Sequence, residues 1–467
     1  MSARGRRGFS LVVALSAVAL WGCNGDSEDP MDGPETGDDA GTDSGQANAC
    51  PTGGTGMLAI NVAIEAGVLA DVRLIDAKGA EVGDPITAST TLSVPTGLYG
   101  LDAYRVHRAG TLIGKAYQPS SSASDVVCVR ADEAATLAVT YTLEPGSAHV
   151  WLTQSNGDGA QVLAFDESQA MAAGMQTPVV GLQTGLTTVG PLRIDGLGRL
   201  WVGSVHGGLV GFNTARLGTA STNPPDIVLD GDALCGPTIP CGAHAIAFDA
   251  KGAVWVALLD SIAKFEPASL NASGQPTASV RITSPSFETP NGLAFDAAGN
   301  LWVGESSGAI VRFNAARLSA NIAEQAADIV IYAQQPGPVM IGLGSPEGLV
   351  FDKDGNLWVG YFTGNDLVRF TPADLTTSKP ENMPFVPTTH IKVGVEALVT
   401  DLALDEAGNL WMPGGMNSLY RIAAADLTSA TPALVALRST QIGSAEKLTF
   451  DSVPGPLFIT EPHLEVR

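Results

Sequence analysis

A chain of 467 residues with 48 Asp and Glu against 25 Lys and Arg has a formal net charge of −23, the wrong sign for binding nucleic acid or another polyanion as a main role. With 54 Gly and 29 Pro to supply turns and only 16% charged residues, the composition is that of an exported all-β protein long enough for two folded domains. A monomer is expected.

Arg4, Arg6 and Arg7 precede the apolar run Phe9–Leu20, which is too short to span a membrane and has the layout of a signal peptide over residues 1–22. Leu20-Trp-Gly-Cys23 resembles the bacterial lipoprotein cleavage box, with Trp21 an unusual occupant. That resemblance implies a membrane anchor through lipidated Cys23. Arg6-Arg7-Gly-Phe9 also resembles a twin-arginine export signal, and a plain basic leader is the competing reading. Asn24 is not the Asp that holds some lipoproteins at the inner membrane, so the outer membrane or cell surface is the expected location. From Cys23 to Cys50 the chain is rich in acids (Asp26 to Asp43), Gly, Ser and Thr, with no basic residue, so residues 23–50 read as a solvated, disordered tether.

Residues 51–145 contain alternating runs at Met57–Ile64, Val72–Ile75, Thr91–Val94, Tyr99–Val106, Val126–Arg130 and Thr136–Tyr141, the strand density of a small β-sandwich. The turn Leu92–Leu101 and the ending Asp125–Tyr141 resemble bacterial immunoglobulin-like or carboxypeptidase-regulatory-like modules, which implies a spacer or a weak binder.

Residues 146–467 are organised by a repeat whose clearest copy is Pro290–Leu318. Leu293-Ala-Phe-Asp296, Leu301-Trp-Val303 and Ala309–Phe313 read as three antiparallel strands joined by tight turns, with Asn314 as side-chain cap of a helical turn and Asp328–Tyr332 as fourth strand. First strands end in Asp195, Asp249, Asp296, Asp352, Asp405 and Asp451, and second strands carry Trp151, Trp201, Trp255, Trp302, Trp358 and Trp411. Four strands recurring every roughly 50 residues indicate a β-propeller. The series begins at a second strand and ends at a lone first strand, Lys447–Asp451, so that strand can complete the first blade and close a six-bladed ring. Pro456–Thr460 as a further second strand makes seven blades the alternative.

The P-x-G-L-x-F-D-x-x-G-N-L-W-V form at Pro290–Val303, with its counterpart at Pro346–Val359, resembles NHL-type and SMP-30/gluconolactonase/virginiamycin B lyase-like propellers. Activity does not follow, because this architecture carries lactonases, lyases and non-catalytic binders. In the enzymes, the residue just before the first strand points into the central channel and holds a divalent cation. The resemblance therefore implies a Ca²⁺ or Mg²⁺ site from Asn291, Glu347 and Glu446, with Asp401 as a fourth ligand and His244 as a candidate general base. Gly190 and Thr400 fill the other two positions, and ordinary polar lining of a wet channel is the competing reading. Two functions stand: a non-catalytic envelope lipoprotein whose propeller binds a protein or glycan, and a metal-dependent lactonase or lyase.

With Cys23 lipidated, Cys50, Cys128, Cys235 and Cys241 can form two disulfides, Cys50–Cys128 and Cys235–Cys241. Zinc is the competing reading, but only His244 lies nearby. Gly304-Glu-Ser-Ser-Gly308 matches a nucleophile motif yet falls in a hairpin, and Asp352-Lys-Asp-Gly-Asn356 matches the start of a calcium loop yet is the recurring turn.

Overall fold

The computed structural model describes residues 50–450, except 109, 111, 122–125, 157–158, 173, 189, 231–233, 235–241, 337–341, 395–398 and 415–416. The leader, Cys23, the tether, Cys235, Cys241, Asp451 and Pro456–Thr460 lie outside the described residues. Among the described residues, no helix is long and apolar enough to cross a membrane.

The N-terminal region has two sheets over one apolar core. A five-stranded sheet runs in the order Thr90–Pro95, Thr55–Ala63, Ala134–Leu143, Lys115–Ser121, Val106–Arg108, and a three-stranded sheet in the order Asp71–Asp76, Gly97–Tyr104, Val126–Val129. Alternation sends Leu58, Ile60, Val72, Leu74, Leu137 and Val139 into the shared core. Cys50 and Cys128 are bonded, with Cα atoms 5.6 Å apart, within the span that a disulfide bridges. Lys115–Ser121 is a strand that the sequence pattern does not reveal. Pro119 and a polar run obscure it, although Tyr117 within it is buried in the core.

This sandwich packs directly against the repeat region. Leu112 and Ile113 sit in one cluster with Val150, Phe165 and Trp411, and the Leu112 carbonyl accepts from the amide of Glu406. Across the same junction His107 Nε2 lies 3.1 Å from Glu406, while within the sandwich Arg105 forks onto buried Glu144 with two contacts of 2.7 Å.

The repeats form six four-stranded antiparallel sheets among the described residues, in agreement with the four-strand unit. The clearest is Pro290–Phe295, Leu301–Glu305, Ala309–Phe313, Ile329–Tyr332. In the first sheet, Ser444–Phe450 pairs antiparallel with His149–Asn156, from Ser444 opposite Ser155 to Phe450 opposite Val150.

Each of five sheets is pinned by a turn that accounts for the recurring Asp, Gly and Trp together. The first carboxylate oxygen of Asp405 accepts from the amides of Ala407 and Asn409, Gly408 takes a left-handed φ of 78°, and the second oxygen accepts from Trp411 Nε1 at 2.8 Å. Asp195, Asp249, Asp296 and Asp352 make the same indole bond, at 2.8 to 3.2 Å. The buried indole nitrogen thus has a partner within its own repeat, which frees the ring for packing. Trp255 meets Phe295 edge-on at 5.9 Å, Trp302 meets Phe351 at 6.2 Å and Trp411 meets Phe450 at 5.7 Å. Each of these Trp rings therefore packs on the first strand of the next sheet, and a third-strand cation such as Arg312, Arg369 or Arg421 lies over the ring of Trp302, Trp358 or Trp411.

The helical turn after the third strand is capped differently from the expectation. Asn314 makes no side-chain cap; the Ala315 amide donates to Asn300 Oδ1, and the Asn314 amide donates to Asp328. The Asn of the preceding turn reaches further than the adjacent one because the third strand folds back alongside it.

Candidate functional site

Residues at the start of the first strands come together around one cavity, and three of these strands begin with the same local device. The antiparallel register shifts between Pro290 and Gly292, between Pro346 and Gly348, and between Ala445 and Lys447. The residues skipped by the ladder are Asn291, Glu347 and Glu446. A bulge of this kind turns a side chain away from the alternating pattern and is common beside functional sites. The Gly that follows in two of them permits the close approach of neighbouring strands: a Cβ on Gly292 would lie 2.5 Å from the Glu347 carbonyl oxygen, and one on Gly348 would lie 3.0 Å from Asp401 Cα.

These bulges open onto a cavity of about 360 Å³. All six positions aligned from the sequence line it, namely Gly190, His244, Asn291, Glu347, Thr400 and Glu446, and they are joined by Val205, Phe362, Ser444 and Lys447. Alignment of the repeats therefore locates the cavity. Phe362 lies outside that alignment; it follows the second strand Leu357–Tyr361 in a short 3-10 turn, and the residue is 43% exposed.

Burial raises the carboxyls of Glu347 and Glu446 above the ordinary range. The Lys447 ammonium pulls both back down, while Asp401 adds to the rise at Glu347 and Glu347 adds to that at Glu446. His244 is lowered, first by burial and then by the Lys447 charge, with a hydrogen bond to Asn291 acting the other way. The imidazole is therefore neutral at physiological pH and suits hydrogen bonding better than charge pairing.

Asp401 does not join this group. Its two carboxylate oxygens each accept from Arg193 at 2.9 Å, and one also accepts from the Leu448 amide at 3.1 Å. Its expected place as a fourth cation ligand is corrected accordingly: one step along the chain from Thr400, the side chain leaves the cavity and finds a guanidinium. Arg193 also donates to the Leu448 carbonyl, so the network ties the first strand of the second sheet and the segment leading into the sixth to Ser444–Phe450. Beyond this pair the same elements line a second cavity of about 330 Å³, with Ala247, Leu293, Leu349, Leu402 and Leu448.

The cavity has two carboxylates, Glu347 and Glu446, with Asn291 and Thr400 beside them and a lysine in their midst. Among the described residues no group of three His, Cys, Asp or Glu side chains converges as ligands would. Where a cation was expected, Lys447 Nζ lies 4.0 Å from Glu347 Oε2 and donates to the Thr400 carbonyl. Gly304-Glu-Ser-Ser-Gly308 runs from the end of Leu301–Glu305 through the tight turn into Ala309–Phe313, not through a strand-to-helix elbow, so it lacks the setting that a nucleophile motif needs.

No curated protein matches the chain. Solved structures that resemble it include a protein of unknown function from Bacteroides caccae, 11% identical with a TM-score of 0.43, covering 65% of this chain and 98% of that one. Another is the WD40 β-propeller domain of Doa1, 10% identical with a TM-score of 0.40, covering 62% of this chain and 79% of that one. Residues 246–394, which include the sheets contributing Asn291 and Glu347, match the family model of the SMP-30/Gluconolactonase/LRE-like region, a β-propeller family.

Proposed function

We propose that this chain is an exported, lipid-anchored envelope protein whose six-bladed propeller, closed by Ser444–Phe450, carries a non-catalytic glycan-binding cavity at its rim. The observation that supports glycan over protein is the pairing of an exposed Phe362 with His244, Asn291, Glu347 and Glu446 around one cavity. A sugar offers an apolar face to stack on an aromatic ring and hydroxyls to satisfy carboxylate and amide groups, and a pocket with few convergent polar groups is the usual form of a small-ligand site. The N-terminal β-sandwich, of immunoglobulin-like type, acts in this reading as a docked spacer between the tether and the propeller.

Screening the mature protein against a glycan array, followed by calorimetry with the glycans retained, tests the site. Phe362→Ala and Glu347→Gln are each expected to weaken binding about tenfold or more, or about 1.4 kcal/mol. Retention of no glycan, or binding indifferent to both substitutions, would sink the reading.

The anchor has its own test. Cys23→Ser is expected to leave the protein soluble or unprocessed, because a diacylglyceryl group with an N-acyl chain supplies the two signals that stable attachment needs. Unchanged membrane retention after the substitution would refute lipidation at Cys23.

A metal-dependent lactonase or lyase is the second reading, favoured by the match over residues 246–394. Lactone hydrolysis that depends on added Ca²⁺ or Mg²⁺ would support it in place of the first.

A further inference from the structure

We propose that Lys447 is a resident cation that occupies the electrostatic position of a divalent ion in the rim cavity, making the site independent of metal. The ammonium donates to the Thr400 carbonyl, lies 4.0 Å from Glu347 Oε2 and is largely enclosed, with only 13% of its side chain exposed. It follows Glu446 directly, and the register shift between Ala445 and Lys447 lets both consecutive side chains line the cavity. In a regular strand they would point to opposite faces.

The consequence is electrostatic. Two half-buried carboxylates in one cavity repel unless a positive charge lies between or beside them. Lys447 supplies that charge covalently, with its amine held between the Thr400 carbonyl and Glu347 in the cavity that Asn291 and Glu446 also line. Its removal should then leave a vacancy of the right charge and donor type for a hard cation.

The test uses the full mature chain with CaCl₂ alone as probe, followed by calorimetry and thermal melting. The parent is expected to show no saturable Ca²⁺ heat and no change in melting temperature on adding EDTA. Lys447→Met is expected to gain a site with Kd on the order of 10⁻⁴ to 10⁻³ M, the range of extracellular calcium modules. That gain should vanish in the double variant Lys447→Met, Glu347→Gln. If Met unfolds the strand, Lys447→Gln, which keeps a donor for the Thr400 carbonyl, carries the same expectation. Saturable Ca²⁺ binding by the parent that Glu347→Gln abolishes would overturn the proposal, as would a folded Lys447 variant with no gain. Neither result bears on whether a glycan binds.

Discussion

Deleting residues 444–467 is expected to leave the repeat region insoluble or to lower its melting temperature by about 10 °C or more, since each kcal/mol moves a domain of this size by only a few degrees. Ser444–Phe450 is the only partner of one edge of His149–Asn156 among the described residues, and its loss exposes that edge. Leu448, Ala445 and Phe450 are buried in the cluster that also holds Val150, Leu152 and Trp411, and burying a Leu or Phe is worth roughly 1.5–3 kcal/mol. The same deletion takes the Leu448 amide and carbonyl from the Asp401–Arg193 pair, leaving buried charge less well satisfied. Together these losses approach the whole margin of a typical fold, about 5–15 kcal/mol. Leu448→Ala serves as a graded control, with an expected cost of about 2–5 kcal/mol. A truncated protein that melts with the parent would show that the first sheet does not depend on this strand.

The second large effect is a decline in stability between about pH 5 and pH 8 that originates at Glu305. Its side chain is 0% exposed at the end of Leu301–Glu305; one oxygen accepts from the Glu288 amide at 2.9 Å and the other has no partner among the described residues. Burial pushes its carboxyl up to about 8, against a pull downward from the Glu288 and Thr289 amides. The folded protein therefore holds a proton that the unfolded chain releases near the ordinary carboxyl value. Stability from this group is complete below that ordinary value and is lost as pH rises through about 8. The gap from 4.5 to about 8 corresponds to an upper bound on the order of 4–5 kcal/mol. Glu305→Gln keeps an acceptor for the Glu288 amide and has nothing to titrate. Denaturant unfolding at pH 5, 7 and 9 should show the variant gaining on the parent by a few kcal/mol as pH rises. Glu347 and Glu446, whose carboxyls are also raised, contribute in the same sense to both proteins and cancel in the difference. Parallel curves for parent and variant would refute the assignment.

The chain's own sequence determined everything that is local and repeated. The Asp, Gly and Trp of each turn lie within seven residues, so their hydrogen bonds form in copy after copy regardless of what surrounds it, and the repeat could be read from them. Because the copies share one register, aligning them also placed Gly190, His244, Asn291, Glu347, Thr400 and Glu446 around one cavity.

What the tertiary structure alone decided is where strictly alternating patterns are broken and which distant groups meet. Bulges at Asn291, Glu347 and Glu446 depend on the pairing register of two strands, and nothing in a single strand announces that Lys447 will share a cavity with its neighbour Glu446. Asp401 and Arg193 are 208 residues apart, and only the assembled sheets bring a guanidinium to the carboxylate that the repeat alignment had offered to a metal. Leu112 and Ile113 look like ordinary loop residues until Val150, Phe165 and Trp411 provide a surface for them. Local hydrogen bonding is encoded within a turn, whereas the partner of a buried charge is set by which strands the packing of the sheets places side by side.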